Sequence, residues 1–449
     1  MKGRRALPRS PGTAARAVAL EALVRVEAGA YSNLVLPNLL RSSRLSPRDR
    51  GLVTDLVYGT LRQQGRADHL ISLAADRPVA TLDPPVRAAL RLGAYQLLSG
   101  VPAHAAVGAT VGALTGPATR ARPFVNAVLR RIARLGPSWP WPTGDDAASV
   151  AVRTSHPRWI VELLSRDLGA ALALATLEAN NEVPAVTLRP NRLRTEPAAL
   201  AAELAAAGAT VEPGRLVPRA LLVRGVGDPS LLPAVAEGRA TPQDQASQAV
   251  AAAVAPQAGE DILDVAAAPG GKATAMAELM GDTGRVVAGD LRPGRAGRIA
   301  LAAGRLGLAS VHTVVADGTA LPFPPGRFDR VLLDAPCSGL GVLRRRPEAR
   351  WRLEPSDPVR LAELQRRLLT SAATAVRPGG LLVYSACTMT RLETSDLDPW
   401  AAEALPGWVA LDPPGPPWRP LGRGSLLLPQ DAGTDGMYLL RLRSPGSVQ

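Results

Sequence analysis

The sequence of 449 residues predicts a multidomain protein with an all-α N-terminal domain, a small α/β subdomain and a C-terminal α/β domain built on a parallel sheet. Three observations carry that expectation. Apolar residues recur at helical spacing through the first third of the chain. Prolines at alternate positions in Gly136-Pro137-Ser138-Trp139-Pro140-Trp141-Pro142 disfavour both helix and strand ladder and set a boundary near 140–150. From about residue 242, short apolar runs alternate with turns and helical stretches, the pattern of parallel strands joined by crossovers.

The helical domain is placed at 10–140. Its periodic stretches include Ala14-Ala15-Ala17-Val18-Leu20-Leu23-Val24, then Leu52-Val53-Leu56-Val57-Leu61, then Val86-Leu90-Leu92-Leu97-Leu98, broken at Gly29, Pro47 and Pro84-Pro85. Five to seven packed helices are expected. Residues 150–240 follow as a small α/β piece, with one helix over about 157–179, a strand at Ala185–Arg189 and an Ala-rich helix near 197–207. Residues 241–445 form the parallel-sheet domain.

Composition narrows the function classes. Aromatics make up only 3%, so aliphatic residues and alanine must fill the cores. No stretch approaches 18 uninterrupted apolar residues, and the basic start (Lys2, Arg4, Arg5, Arg9) lacks the apolar core of a signal peptide, so a cytoplasmic protein without a membrane span is expected. Residues 1–150 hold 20 Lys and Arg against 9 Asp and Glu, which places +11 of the net +13 in the first third. That asymmetry favours a polyanion such as RNA. Arg120, Arg122, Asn126, Arg130, Arg131 and Arg134 crowd one helix as a candidate backbone-binding strip, and a solvated face predicts the same spacing. The four histidines are scattered and the two cysteines cannot complete a structural zinc centre, so no metal is expected.

The chemistry concentrates at predicted strand ends. Asp261-Ile262-Leu263-Asp264-Val265 leads into Ala266-Ala267-Ala268-Pro269-Gly270-Gly271-Lys272 and a helix, a glycine turn that suits a nucleotide-like cofactor. Ala266 and Ala273 stand where a triphosphate loop needs Gly and Ser or Thr, which argues against that alternative. The next strands end in Asp290, Asp317 and Asp334, and the position of Asp290 is where such folds grip ribose. Cys337 follows the fourth strand in Asp334-Ala335-Pro336-Cys337-Ser338-Gly339, and Cys387 follows Leu381-Leu382-Val383-Tyr384. Two thiols at one sheet edge, in a chain with no secretory signal, read as reactive groups and not as a disulfide. Lys272 is one of only two lysines among 52 basic residues, which marks a place that needs a compact ammonium. Between the cysteines, Leu343–Arg352 packs five arginines around Trp351, a run that suits unstacked single-stranded RNA.

These motifs resemble those of RNA (cytosine-5) methyltransferases: Asp264 to Lys272, Asp334 to Gly339, and Ser385-Ala386-Cys387-Thr388. The N-terminal domain, with Tyr58-Gly59-Thr60-Leu61-Arg62, Leu90 to Leu98 and Asn126 to Arg131, is similar to the NusB-type RNA-binding domain. Together they are similar to bacterial small-subunit (16S) ribosomal RNA methyltransferases of the Sun/Fmu type, over nearly the whole chain. The resemblance implies a Rossmann-like class I methyltransferase domain that uses S-adenosylmethionine and acts on small-subunit ribosomal RNA; the sequence does not give the oligomeric state, and monomer is only the default. It implies Cys387 as nucleophile, Cys337 in product release, and Asp334 and Lys272 as further catalytic groups. It also implies that Ala266, Ala267, Ala268, Pro269, Gly270, Gly271, Lys272, Asp290, Asp317 and Asp334 hold the cofactor. Ala266 replaces a frequent cysteine, and Met389–Thr394 departs from the usual Pro/Glu-rich helix start. A transfer RNA methyltransferase and a non-catalytic RNA-binding assembly or antitermination factor are the competing readings.

Overall fold

The computed structural model describes residues 12–446. The basic run Lys2, Arg4, Arg5 and Arg9 lies outside the described residues. Two compact units form: one from residues 12–166, Ala170–Asn181 and Arg346–Arg352, the other from Asp167–Gly169, Glu182–Arg345 and the chain from Leu353 on.

In the first unit, seven α-helices run between Thr13 and Leu135. Local chemistry sets their ends. Ser46 caps Pro47–Arg62 by accepting from the backbone N–H of Asp49 at 3.1 Å, and Pro47 sits in the first turn, where a missing N–H costs nothing. Within Arg122–Leu135 the buried positions are Val125, Val128, Leu129 and Ile132, a single stripe that leaves Arg130, Arg131 and Arg134 exposed, while Arg120, also exposed, lies in the preceding turn Gly116–Ala121 and not on that helix. Alanine in the core permits close helix packing, and at one crossing a Cβ on Gly59 would fall 2.0 Å from the Tyr95 ring, which would have to shift. Trp139 and Trp141 fold back against this core, so the proline-rich stretch is packed and does not act as a free spacer. The single helix expected at 157–179 is two, Arg158–Leu168 and Ala170–Ala179, divided at Gly169, whose φ of 81° lies in the left-handed region.

The second unit starts with β1 (Val186–Pro190), β2 (Thr210–Pro213), β3 (Leu221–Arg224) and β4 (Ala240–Pro242), an antiparallel sheet in the order β2-β3-β1-β4. The main sheet adds β5 (Asp261–Asp264), β6 (Arg285–Asp290), β7 (Val311–Val315), β8 (Phe328–Asp334), β9 (Val376–Ala386), β10 (Val409–Ala410), β11 (Arg419–Leu421), β12 (Gly424–Leu427) and β13 (Met437–Arg443). Its order is β11-β12-β13-β9-β8-β5-β6-β7, with β10 paired to β13. β5 to β9 are mutually parallel and β13 runs antiparallel to β9. The fold class therefore matches expectation: helical domain, small α/β subdomain, and an α/β sheet of Rossmann type. The chain passes from β5 outward to β6 and β7, then returns to the other side of β5 with β8. That reversal opens a crevice at the carboxyl ends of β5 and β8, the usual ligand position in such sheets.

Candidate active site

Every acid and thiol singled out in the sequence lies at or just beyond the carboxyl end of a parallel strand. At the β5–β8 crevice, Lys272 on the helix Gly271–Leu279 places Nζ 2.7 Å from Asp334 Oδ2, and Ser385 Oγ donates to Asp334 Oδ1 at 2.8 Å. Asp334 and Ser385 are register partners on β8 and β9, so sheet pairing itself presents the hydroxyl to the carboxylate. Lys272 Nζ also lies 3.5 Å from Ser247 Oγ. Burial works against the Lys272 ammonium, but Asp334, backed by Cys387 and Asp264, lifts it above the ordinary lysine range.

The two sulfurs lie 3.1 Å apart, and both cysteines are free. Cys387 directly follows β9. Its carbonyl accepts from Gly341 N–H at 2.9 Å, and Gly341 in turn accepts from Gly436 N–H at 2.8 Å. The hydrogen bond to Cys387, then burial, then the charges of Cys387, Glu393 and Asp334 push the Cys337 thiol well above its usual range.

Around the glycine turn, Gly270 adopts φ 103° and begins the helix Gly271–Leu279, which turns free N–H groups toward the crevice. Asp264 ends β5 fully buried, with neither carboxylate oxygen hydrogen-bonded. Burial first, and Asp334 second, raise its carboxyl to about 8, against the pull of Lys272. Such an orphan carboxyl beside a backbone cradle fits a cationic or hydroxyl-bearing cofactor. Asp290 accepts from Arg292 N–H and Arg295 Nε, each at 3.0 Å. Asp317 is exposed and closes a turn onto Thr319. Among the described residues no hydrogen bond joins Asp290 or Asp317 to Lys272, Asp334 or the thiols. The structure thus groups Lys272, Asp334, Cys337 and Cys387 tightly, with the remaining acids set along the same edge.

Sequence patterns assigned no role to three contributors, of which Ser385 alone stood in a family motif. Ser385 orients Asp334, Glu393 faces both thiol loops, and buried Arg189 on β1 donates to Gly271 O, Thr274 Oγ1 and Glu278 Oε1 at 2.7, 3.0 and 2.8 Å. Through Arg189 the small subdomain braces the helix that carries Lys272. The structure corrects the reading of Leu343–Arg352 as an exposed RNA loop. Arg344 and Arg350 are buried, Arg345 pairs with Asp244 and Asp435, and Trp351 Nε1 donates to Leu61 O at 3.1 Å. Arg344, Arg345, Arg350 and Arg352 are occupied by protein carbonyls and carboxylates, while Arg346 is exposed. After Thr388 comes a short 3-10 turn, Arg391–Glu393, followed by the helix Leu397–Ala404.

Among the described residues, no group of His, Cys, Asp and Glu could hold a metal ion, and no helix is long and apolar enough to cross a membrane.

Comparisons with known proteins agree with this architecture. Residues 251–443 match the family described as 16S rRNA methyltransferase RsmB/F, residues 13–134 the NusB family, and residues 156–228 a RsmF/B-like ferredoxin-like domain. "Probable ribosomal RNA small subunit methyltransferase B" of Bacillus subtilis is 37% identical over 97% of this chain and 99% of its own. Ribosomal RNA small subunit methyltransferase B of Pseudomonas putida is 35% identical over 95% and 98%. The crystal structure of PH0851 superposes with a TM-score of 0.82 at 26% identity, covering 97% of this chain and 99% of that one. NSun6 from Pyrococcus horikoshii, solved with SFG, shares the fold over 64% of this chain and 98% of its own, at a TM-score of 0.58 and 22% identity. Identity of this order along almost the full length of both chains places the protein in the 16S rRNA methyltransferase RsmB/F family.

Proposed function

We propose that the protein transfers a methyl group from S-adenosylmethionine to carbon 5 of a cytosine in small-subunit ribosomal RNA, through a covalent Cys387–cytosine adduct. The observation that carries this reading is the pair of sulfurs 3.1 Å apart beside the Lys272–Asp334–Ser385 chain. Cytosine carbon 5 is a weak nucleophile until a thiolate adds at carbon 6 and shifts electron density onto it. Cys387, with its sulfur 3.1 Å from that of Cys337, supplies that thiolate. Asp334 meets the N3 and amino edge of the base as charge builds there, and the Lys272 ammonium paired with it stabilises that charge electrostatically. S-adenosylmethionine supplies an electrophilic methyl group to carbon 5. Backbone at Ala266–Gly271 with Asp290, Asp317 and Asp334 would hold it, and the unpartnered carboxyl of Asp264 supports a cofactor on that side. Release requires the carbon 5 proton to leave before the Cys387–carbon 6 bond breaks. A base takes that proton, Cys337 assists the release, and Cys387 departs as a thiolate.

RNA is the partner, met through the exposed arginines Arg120, Arg130, Arg131 and Arg134. Work in the cytoplasm follows from such a substrate. The test is methyl transfer from labelled S-adenosylmethionine to unmodified small-subunit RNA and to transfer RNA. Wild type is expected to label the ribosomal RNA. Cys387→Ala is expected to be inactive, and Cys337→Ala to accumulate a covalent protein–RNA adduct. Full activity in Cys387→Ala would overturn the mechanism, and labelling of transfer RNA alone would overturn the substrate.

A further inference from the structure

Glu393 takes no part in the chemistry above, yet its carboxylate lies between the two thiol loops. It sits six residues beyond Cys387, in the turn Arg391–Glu393, and is 0% exposed. A buried carboxylate loses its hydration and is costly unless donors surround it. Five do. Oε1 accepts from Ser338 N–H at 2.8 Å and Gln365 Nε2 at 3.1 Å; Oε2 lies 2.6 Å from Ser338 Oγ, 2.8 Å from Thr390 Oγ1 and 3.1 Å from Thr388 Oγ1. The backbone of Glu393 is held as well, because Tyr384 on β9 donates its hydroxyl to the Glu393 carbonyl at 2.9 Å.

Ser338 is the residue after Cys337, and Thr388 is the residue after Cys387. Their hydroxyls are also 2.8 Å from each other. One carboxylate therefore ties together the two loops at points one residue beyond each sulfur. We infer that Glu393 is a positioning residue that sets the separation of the two thiols, by clamping Ser338 and Thr388 through its buried carboxylate. Only an ionised carboxylate offers enough lone pairs to face five donors; an amide in its place turns its own N–H groups toward some of them. The charge has a second effect in the same direction, since Glu393 is among the groups that keep the proton on Cys337.

The catalytic consequence rests on the cysteine chemistry proposed above, whereas the geometric claim does not, and the test separates them. In the full-length protein, diamide takes two electrons and two protons from an adjacent thiol pair, leaving a disulfide. The rate of Cys337–Cys387 coupling, read by thiol titration and intact mass, thus reports the sulfur separation without any RNA. Glu393→Gln is expected to couple several-fold more slowly than wild type. Its kcat for RNA methylation is expected to fall about 10²-fold, the loss typical of a displacement of about 1 Å, with an unchanged KM for S-adenosylmethionine. A purely structural role would lower the thermal midpoint and cofactor affinity but leave coupling in the folded protein at the wild-type rate, and that result would overturn the inference. If Glu393→Gln does not fold, Ser338→Ala combined with Thr388→Val frees Thr388 from the carboxylate and leaves it only Ser338 N–H on the other loop, and a wild-type coupling rate there overturns it equally. If coupling depends on Glu393 but wild type methylates no RNA, the positioning stands and the proposed function falls.

Discussion

Asp264 is the strand-end acid with neither oxygen hydrogen-bonded, and its proton has a consequence for stability. An unfolded chain releases that proton near pH 4, whereas the folded protein keeps it to about pH 8. The stabilising contribution is complete below about pH 4 and is lost as pH rises through the window to 8, at most about 1.4 kcal/mol per pH unit. Asp264→Asn removes the loss. The expected outcome is a urea midpoint for the variant that gains on wild type between pH 5 and pH 8; a difference that stays constant with pH would show that the carboxyl is already ionised at pH 5. Lys272 was legible in the sequence because one internal lysine in an arginine-rich chain stands out, and it is found 2.7 Å from Asp334. Glu393 and Arg189 were not. Their partners are brought together by folding across dozens of positions, and a lone Glu in a turn or a lone Arg in a strand carries no local signal.

Among the elements, the close approach of Gly341 to Gly436 fixes the backbone that carries Cys387. A Cβ at Gly341 would stand 2.2 Å from Gly436 O and 2.9 Å from Cys387 O, and neither backbone oxygen can move alone. Gly341→Ala is expected to cut kcat at least about 10²-fold, as a displaced nucleophile should, while cofactor affinity measured by calorimetry holds, since Ala266–Gly271 lies on a different loop. Wild-type turnover in Gly341→Ala would show that this approach is slack. The parallel strands β5 to β9 were readable because each is an apolar run that ends in an acid or a thiol. Strands such as β2, β4, β10 and β11 escaped notice because at two to four residues, largely exposed, they leave too short a pattern for a period of two to register.

In the molecule as a whole, the first unit is built from chain that lies far apart in sequence. Arg350 is 0% exposed inside it, donating to Ser155 O at 3.0 Å, Asn181 Oδ1 at 2.8 Å and Asn180 O at 3.2 Å. Burial, and then Arg62, draw the guanidinium down to about 9, so its hydrogen bonds offset a large desolvation cost. Arg350→Met is expected to lower stability by about 2 kcal/mol or more, because buried carbonyls are left without a donor; an unchanged urea midpoint would contradict that. The run that holds Arg350 was misread because composition is blind to burial: four of its five arginines face protein carbonyls or carboxylates and Arg346 is exposed, a difference that composition does not carry. The same segment bears on synthesis. A ribosome delivers Ser155, Asn180 and Asn181 more than 160 residues before Arg350, so at ordinary elongation rates the nascent N-terminal helices wait on the order of 10 s for the seven residues that complete them. The unit cannot finish folding as it emerges, and a gene fragment that stops at residue 181 encodes an incomplete one.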